Sequence, residues 1–200
     1  MRAALAGAAL GAGVFWWART HPSAFPYAGR ALLDVTHPFI THERLREVLE
    51  PKPGERILEI GPGTGYYAIS AAEWVGPNGR LTVLDVQQEY LDHTIQAATE
   101  RGLANVEPVL ADAAALPFPD DTFDGAYLVT VLGEVPEGDS ALRELRRVVK
   151  PGGRIVFGET PLDPHVVTLG SLQRRGLAAG MRFERRSGGP LGWFARFGVA

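Results

Sequence analysis

Two hundred residues suffice for one domain with a complete core, and 46% apolar with 22% charged side chains is an ordinary globular balance. The chain has no cysteine, which excludes disulfides, thiolate metal sites and covalent cysteine catalysis. Of the five histidines only His37 and His42 lie near each other, so no metal site is expected, and the net charge of −3 gives no overall basic footprint for nucleic acid.

Residues 1–40 read as an N-terminal apolar helix followed by an irregular lead-in, and 41–200 as the main domain. Ala3 to Ala18 is uncharged, with seven Ala, three Gly and the aromatics Phe15, Trp16 and Trp17 near its end. As a helix it would reach roughly 24 Å, short of the ~30 Å hydrocarbon core. It suits a membrane-surface or membrane-inserted anchor. Gly7 and Gly11 would let two such helices pack closely. A helix folded onto the domain and a cleaved signal remain open, although no small-residue cleavage site follows Trp17. The expected location is the cytoplasm, with membrane association through residues 3–18 as the anchor reading has it.

Thr41 can cap a helix through about Glu50, which Pro51-Lys52-Pro53-Gly54 stops. Strands are expected at Arg56–Ile60, Arg80–Val86, Val106–Ala111, Phe123–Val131 and Arg154–Glu159. Helices are expected between them at Tyr66–Val75, Gln88–Arg101 and Ser140–Lys150, with a loop over 113–121. A helix over Pro164–Ala179 precedes a hairpin of Met181–Arg186 and Trp193–Phe197. Strands alternating with helices give an α/β fold: a doubly wound, Rossmann-like, mostly parallel seven-stranded sheet with a C-terminal antiparallel hairpin. Charge divides along it, with 9 basic and 19 acidic side chains in residues 1–139 against 11 and 4 in 140–200. Arg143, Arg146, Arg147 and Lys150 therefore read either as contacts for an anionic partner or as a solvated helix face.

The most informative stretch is Glu59-Ile60-Gly61-Pro62-Gly63-Thr64-Gly65, between the first strand and its helix. Gly61, Gly63 and Gly65 can take positive φ and let a ligand lie against bare backbone, and the following helix aims its N-terminal amides into the same crevice. A dinucleotide fingerprint needs G-x-G-x-x-G, but Tyr66 stands at the third glycine's place, and no Gly-Lys-Ser/Thr follows for a phosphate loop. Glu59 would repel a pyrophosphate and suits a cationic ligand.

Ligands of open α/β sheets bind at the carboxyl ends of the strands. Asp85 and Val86 close the second strand, where the acid is placed to accept ribose hydroxyls. Asp112 and Ala113 follow the third, where Asp112 can accept from an adenine amine, and Thr130 ends the fourth beside the glycine loop. Each Asp alone is also an ordinary helix cap or turn former. Three acids in register with one glycine loop favour a site.

These residues resemble those of the class I S-adenosylmethionine-dependent methyltransferases over about residues 41–200. Leu116-Pro117-Phe118-Pro119-Asp120-Asp121-Thr122-Phe123-Asp124 and Leu142–Gly153 are similar to the small-molecule and lipid branch, which includes ubiquinone/menaquinone-type and phospholipid-type enzymes. The resemblance implies S-adenosylmethionine as cofactor. Gly61, Gly63 and Gly65 would hold its methionine side, Asp85 its ribose, and Asp112 and Ala113 its adenine. It implies methyl transfer to a small or lipid-like acceptor by in-line displacement, for which alignment alone lowers the barrier. The Asn/Asp-Pro-Pro-aromatic motif of amino-methylating nucleic-acid enzymes is replaced by Thr130-Val131-Leu132-Gly133-Glu134. His37, Tyr67, Glu134 and Glu159 are the acceptor-pocket candidates, without an assigned catalytic base. A non-catalytic cofactor-binding partner subunit and a nicotinamide oxidoreductase are the alternatives.

Overall fold

The computed structural model describes residues 22–28 and 38–200; the apolar stretch 3–18 and His37 lie outside the described residues. Helix α1 (His42–Leu49) starts at Thr41, whose hydroxyl accepts from Arg44 N, and ends at Glu50 in the left-handed region. Its Leu45, Val48 and Leu49 are buried, so the apolar stripe seats it on the sheet.

From there the chain alternates: β1 (Arg56–Ile60), α2 (Tyr66–Val75), β2 (Arg80–Asp85), α3 (Gln88–Glu100), β3 (Val106–Leu110), β4 (Phe123–Val129), α4 (Gly138–Val148), β5 (Val149–Glu159), α5 (Leu169–Ala178), β6 (Met181–Gly189) and β7 (Gly192–Val199). One seven-stranded sheet results, in the order β3-β2-β1-β4-β5-β7-β6. β1 to β5 are parallel, and β7 runs antiparallel to both β5 and β6. The strand order reverses between β1 and β4, which opens a crevice at their carboxyl ends.

Alternation along β1 divides the core. Leu58 and Ile60 face one layer with Leu142, Leu145 and Phe157, while Ile57 faces the other with Leu45, Ala68 and Leu91. Burying both faces explains why β1, β2 and β4 read as near-continuous apolar runs.

Several expected boundaries shift by one or two residues, and three by more. β5 begins at Val149, not Arg154, because Val149 pairs with Phe123 and residues 150–153 bulge around Asp124. Lys150 Nζ holds that bulge at 2.6 Å from Asp124 Oδ1. Helix α5 begins at Leu169, not Pro164, since the Asp163 carboxylate takes the His165 amide into a turn and Thr168 caps the helix instead. The hairpin strands run to Gly189 and from Gly192, so Ser187-Gly188-Gly189 belongs to β6 and not to a loop.

The basic face of α4 is largely occupied within the fold. Arg147 donates to the carbonyls of Leu116 and Phe118 and to the carboxylates of Glu144 and Asp120. It clasps the loop 113–121, and Arg146 donates to the Ala200 carbonyl. The anionic-partner reading of this face therefore loses Arg146, Arg147 and Lys150.

Candidate active site

A cleft of about 420 Å³ opens at the switch point, within the usual range for small ligands. Gly61, Gly63, Asp85, Val86, Asp112, Ala113, Thr130, Tyr67 and Glu134 all line it. The turn after β1 makes this possible, because Gly61, Gly63 and Gly65 adopt φ of 68°, 55° and 83°. Gly61 donates to Leu84 O at 2.8 Å and lies so close to Val131 that a Cβ would stand 2.4 Å from Val131 Cγ2. Only glycine fits there. Gly65 is not part of the wall; it starts α2 and packs against Thr94.

Glu59 is not part of the wall either. Its carboxyl is buried beneath the loop, and Oε2 makes no hydrogen bond. Burial pushes its pKa up to about 8; the Tyr127 hydroxyl, close but short of hydrogen-bond geometry, offsets part of this, and Asp85 adds to it. Asp85 Oδ1 accepts from Gln87 N at 2.9 Å, and burial raises its pKa as well. Asp112 caps its own turn by accepting from Ala114 N at 2.8 Å. Both aspartates thus have local backbone work in addition to facing the cleft.

Thr130 is unusual. It is β-branched yet sits at φ 56°, a strained conformation, held by its own N–H to Gly158 O at 2.8 Å. The kink sets Val131 against Gly61, and the loop then brings Glu134 to the end of the cleft wall where the Phe25 amide meets it.

At that end Glu134 is mostly buried, and its pKa is pushed up to about 8 by burial, despite the Phe25 amide on its Oε2 and with Asp163 and Asp85 raising it further. The other acceptor-side candidates fare differently. Tyr67 lines the cleft, but its hydroxyl is committed to Ile40 O and burial raises its pKa. Glu159 lies outside the wall; its Oε2 accepts from Val167 N at 3.2 Å, and burial holds its pKa well above the carboxylate range. Gly133 packs so tightly on the His165 carbonyl that no side chain fits, which joins the loop after β4 to the loop after β5.

Sequence reasoning missed Gln87 and Phe25, which face the cleft and bond to each other. No local pattern marks them, because their contact spans 62 positions.

A doubly wound sheet with a glycine loop and successive strand-end acids at its switch point defines a Rossmann-like protein with a cofactor cleft. The sequence profile of the ubiE/COQ5 methyltransferase family matches residues 34–167, and the chain belongs to that family. A demethylmenaquinone methyltransferase of Geobacillus sp. (strain WCH70) is 41% identical over 107 residues, covering 54% of this chain and 46% of the relative. A ubiquinone/menaquinone biosynthesis C-methyltransferase, UbiE, of Pseudomonas putida (strain F1) is 39% identical over 109 residues, covering 54% and 43%. The match thus spans about half the length of these curated relatives. The crystal structure of a SAM-dependent methyltransferase from Aquifex aeolicus superposes with a TM-score of 0.80 at 24% identity, over 88% of this chain and 100% of that one. That likeness bears on the fold. Among the described residues, no helix is long and apolar enough to cross a membrane.

Proposed function

We propose that the chain transfers a methyl group from S-adenosylmethionine to a carbon of a small, quinol-like acceptor. One observation carries this reading: every charged side chain among the described residues lining the cleft is a carboxylic acid (Asp85, Asp112 and Glu134), with Glu59 buried beneath it. Such a site rejects pyrophosphate and suits a sulfonium and an ammonium group.

The residues present fit the donor. Gly61 and Gly63 leave backbone bare for its methionine part, the unpartnered Glu59 Oε2 stands ready for positive charge beneath the loop, and Asp85 can take the ribose hydroxyls. Val86, half exposed on the cleft wall, offers an apolar face, and Asp112 and Ala113 face it from the next strand end for adenine. When bound, the donor supplies an electrophilic methyl carbon, so no covalent enzyme intermediate is needed.

The chain's own task is then to orient the acceptor and raise its electron density. A ring carbon becomes nucleophilic when a conjugated hydroxyl gives up its proton. Glu134 is the group in the cleft that can take it, and its raised pKa matches a base working near neutral pH. As the new carbon–carbon bond forms, the methyl–sulfur bond would break with its electron pair going to a neutral thioether. The ring carbon would then lose its own hydrogen as a proton, which restores the aromatic ring. The strained Thr130 fixes the loop that carries Glu134, and Ile40, Val131 and Val135 give the acceptor an apolar bed. The names of the quinone-pathway relatives support a quinol-like acceptor. A lipid-like tail would suit residues 3–18 acting as a membrane-surface anchor.

The test is a donor titration followed by an acceptor screen over demethylated quinols, phospholipids and fatty acids. Donor binding with turnover on a quinol is expected. Donor binding with no turnover on any acceptor would favour a cofactor-binding partner subunit, and binding of a nicotinamide dinucleotide in its place would favour an oxidoreductase. Removing residues 1–19 should reduce binding to lipid vesicles; unchanged binding, with full activity on dispersed acceptor, would sink the anchor.

A further inference from the structure

Phe25 is tied to both banks of the cleft. Its N–H donates to Glu134 Oε2 at 3.0 Å, in the loop after β4. Its carbonyl accepts from Gln87 Nε2 at 2.9 Å, in the turn after β2. Gln87 also uses its other amide atom, since Oε1 accepts from Tyr27 N at 3.2 Å. One side-chain amide therefore pairs with Phe25 and Tyr27 much as a neighbouring β-strand would. The Tyr27 ring continues the contact, edge-on to Tyr90 at 5.1 Å.

The segment crosses the cleft, and Pro22 through Phe25 form part of its wall. None of residues 22–28 is fully buried, so polar clips hold the segment more than apolar packing does. Segments of this kind open at small free-energy cost compared with the core. Gln87 itself has no other bonding role for its amide among the described hydrogen bonds, and it sits two residues beyond Asp85, at the edge of the donor site.

We propose that residues 22–28 are a strap that shuts over the bound donor, and that Gln87 is a positioning residue that clips the strap closed. The shut strap keeps water from the reacting end and slows the escape of donor and demethylated product; unclipping lets them exchange. The strap thereby lays Phe25 beside Glu134, so it also bounds the acceptor's place. This rests on the donor assignment made above.

The test measures dissociation of S-adenosylmethionine and S-adenosylhomocysteine by stopped flow for the full chain and for Gln87→Ala. Hydrogen exchange at the Phe25 and Tyr27 amides is followed in parallel. Gln87→Ala should raise both off-rates about tenfold, as expected for two lost hydrogen bonds. It should also abolish protection of the two amides and leave the melting temperature nearly unchanged. Gln87→Glu keeps the acceptor for Tyr27 N but loses the donor for Phe25 O, so it should fall between the two. Donor binding with off-rates that Gln87→Ala leaves within twofold overturns the strap alone. Failure of the unmodified chain to bind either ligand overturns the donor assignment and the strap's role with it.

Discussion

The two ends of the cleft are built differently. The proposed donor side is made from residues 60–64 at the end of β1 and from the ends of β2 and β3, with β1 and β2 in the sheet interior and β3 at its edge. Its shape comes from backbone, and its acids serve their own turns as well. The proposed acceptor side is assembled from segments distant in sequence: Glu134 after β4 and Phe25 ahead of the domain line it, and the loop after β5 backs it where the His165 carbonyl packs on Gly133. Burial raises the pKa of Glu134 on the wall, and of Glu159 and Asp163 behind it. On the proposed function, a side built from backbone suits one fixed donor, and a side assembled from distant segments suits a quinol-like acceptor.

Substitutions should separate the two ends. The largest effect belongs to Gly61→Val, which combines φ 68° with a clash on Val131. It should abolish measurable donor binding by calorimetry and lower stability by about 1–3 kcal/mol. Next comes Glu134→Gln, which keeps an acceptor for the Phe25 amide but removes the base. It should lower kcat about 10²–10⁴-fold while donor affinity stays within threefold. In the unmodified chain the rate should climb as pH rises through about 8, since Glu134 accepts a proton only when ionised. A flat profile from pH 6 to 9 would break the assignment.

Asp85→Asn comes third, with donor binding weakened about 10–100-fold and turnover at saturating donor little altered. Thr130→Gly has the smallest effect. Relieving the strained φ of 56° should raise stability by about 1 kcal/mol in thermal unfolding, while a loosened loop lowers kcat. A loss of stability would mean that the strain is smaller than the chain entropy and the hydroxyl bond to Val129 O that glycine gives up.

Much of the fold was legible because glycine and proline punctuate it. α2 has the bounds read from sequence, and Thr41 caps α1 as its position suggests. The wall positions of Gly61, Asp85 and Thr130 were also legible, since strand ends converge by topology. What was not legible depends on partners far along the chain. β5 extends to Val149 only because Lys150 meets Asp124, and Arg147 turned out to clasp a loop across 29 and 31 positions. Glu159 looked like a wall residue because it ends a strand, yet its carboxyl turns to Val167. Gln87 carried no signal at all.

On the proposed function, the buried acid beneath the glycine loop answers a cationic donor. Glu59 has a folded pKa near 8, above the ordinary carboxyl value of 4.5, so the folded protein holds a proton that the unfolded chain has released between those pH values. Stability of the ligand-free protein should therefore fall as pH rises from about 4.5 through about 8, and Glu59→Gln should flatten that decline. A bound cation favours the ionised carboxyl and lowers its pKa. The decisive measurement is calorimetric titration of S-adenosylmethionine at pH 7 in two buffers of different ionisation enthalpy. Binding should release up to about one proton, a release lost in Glu59→Gln. Binding with no proton release, or no binding at all, would contradict that role for Glu59.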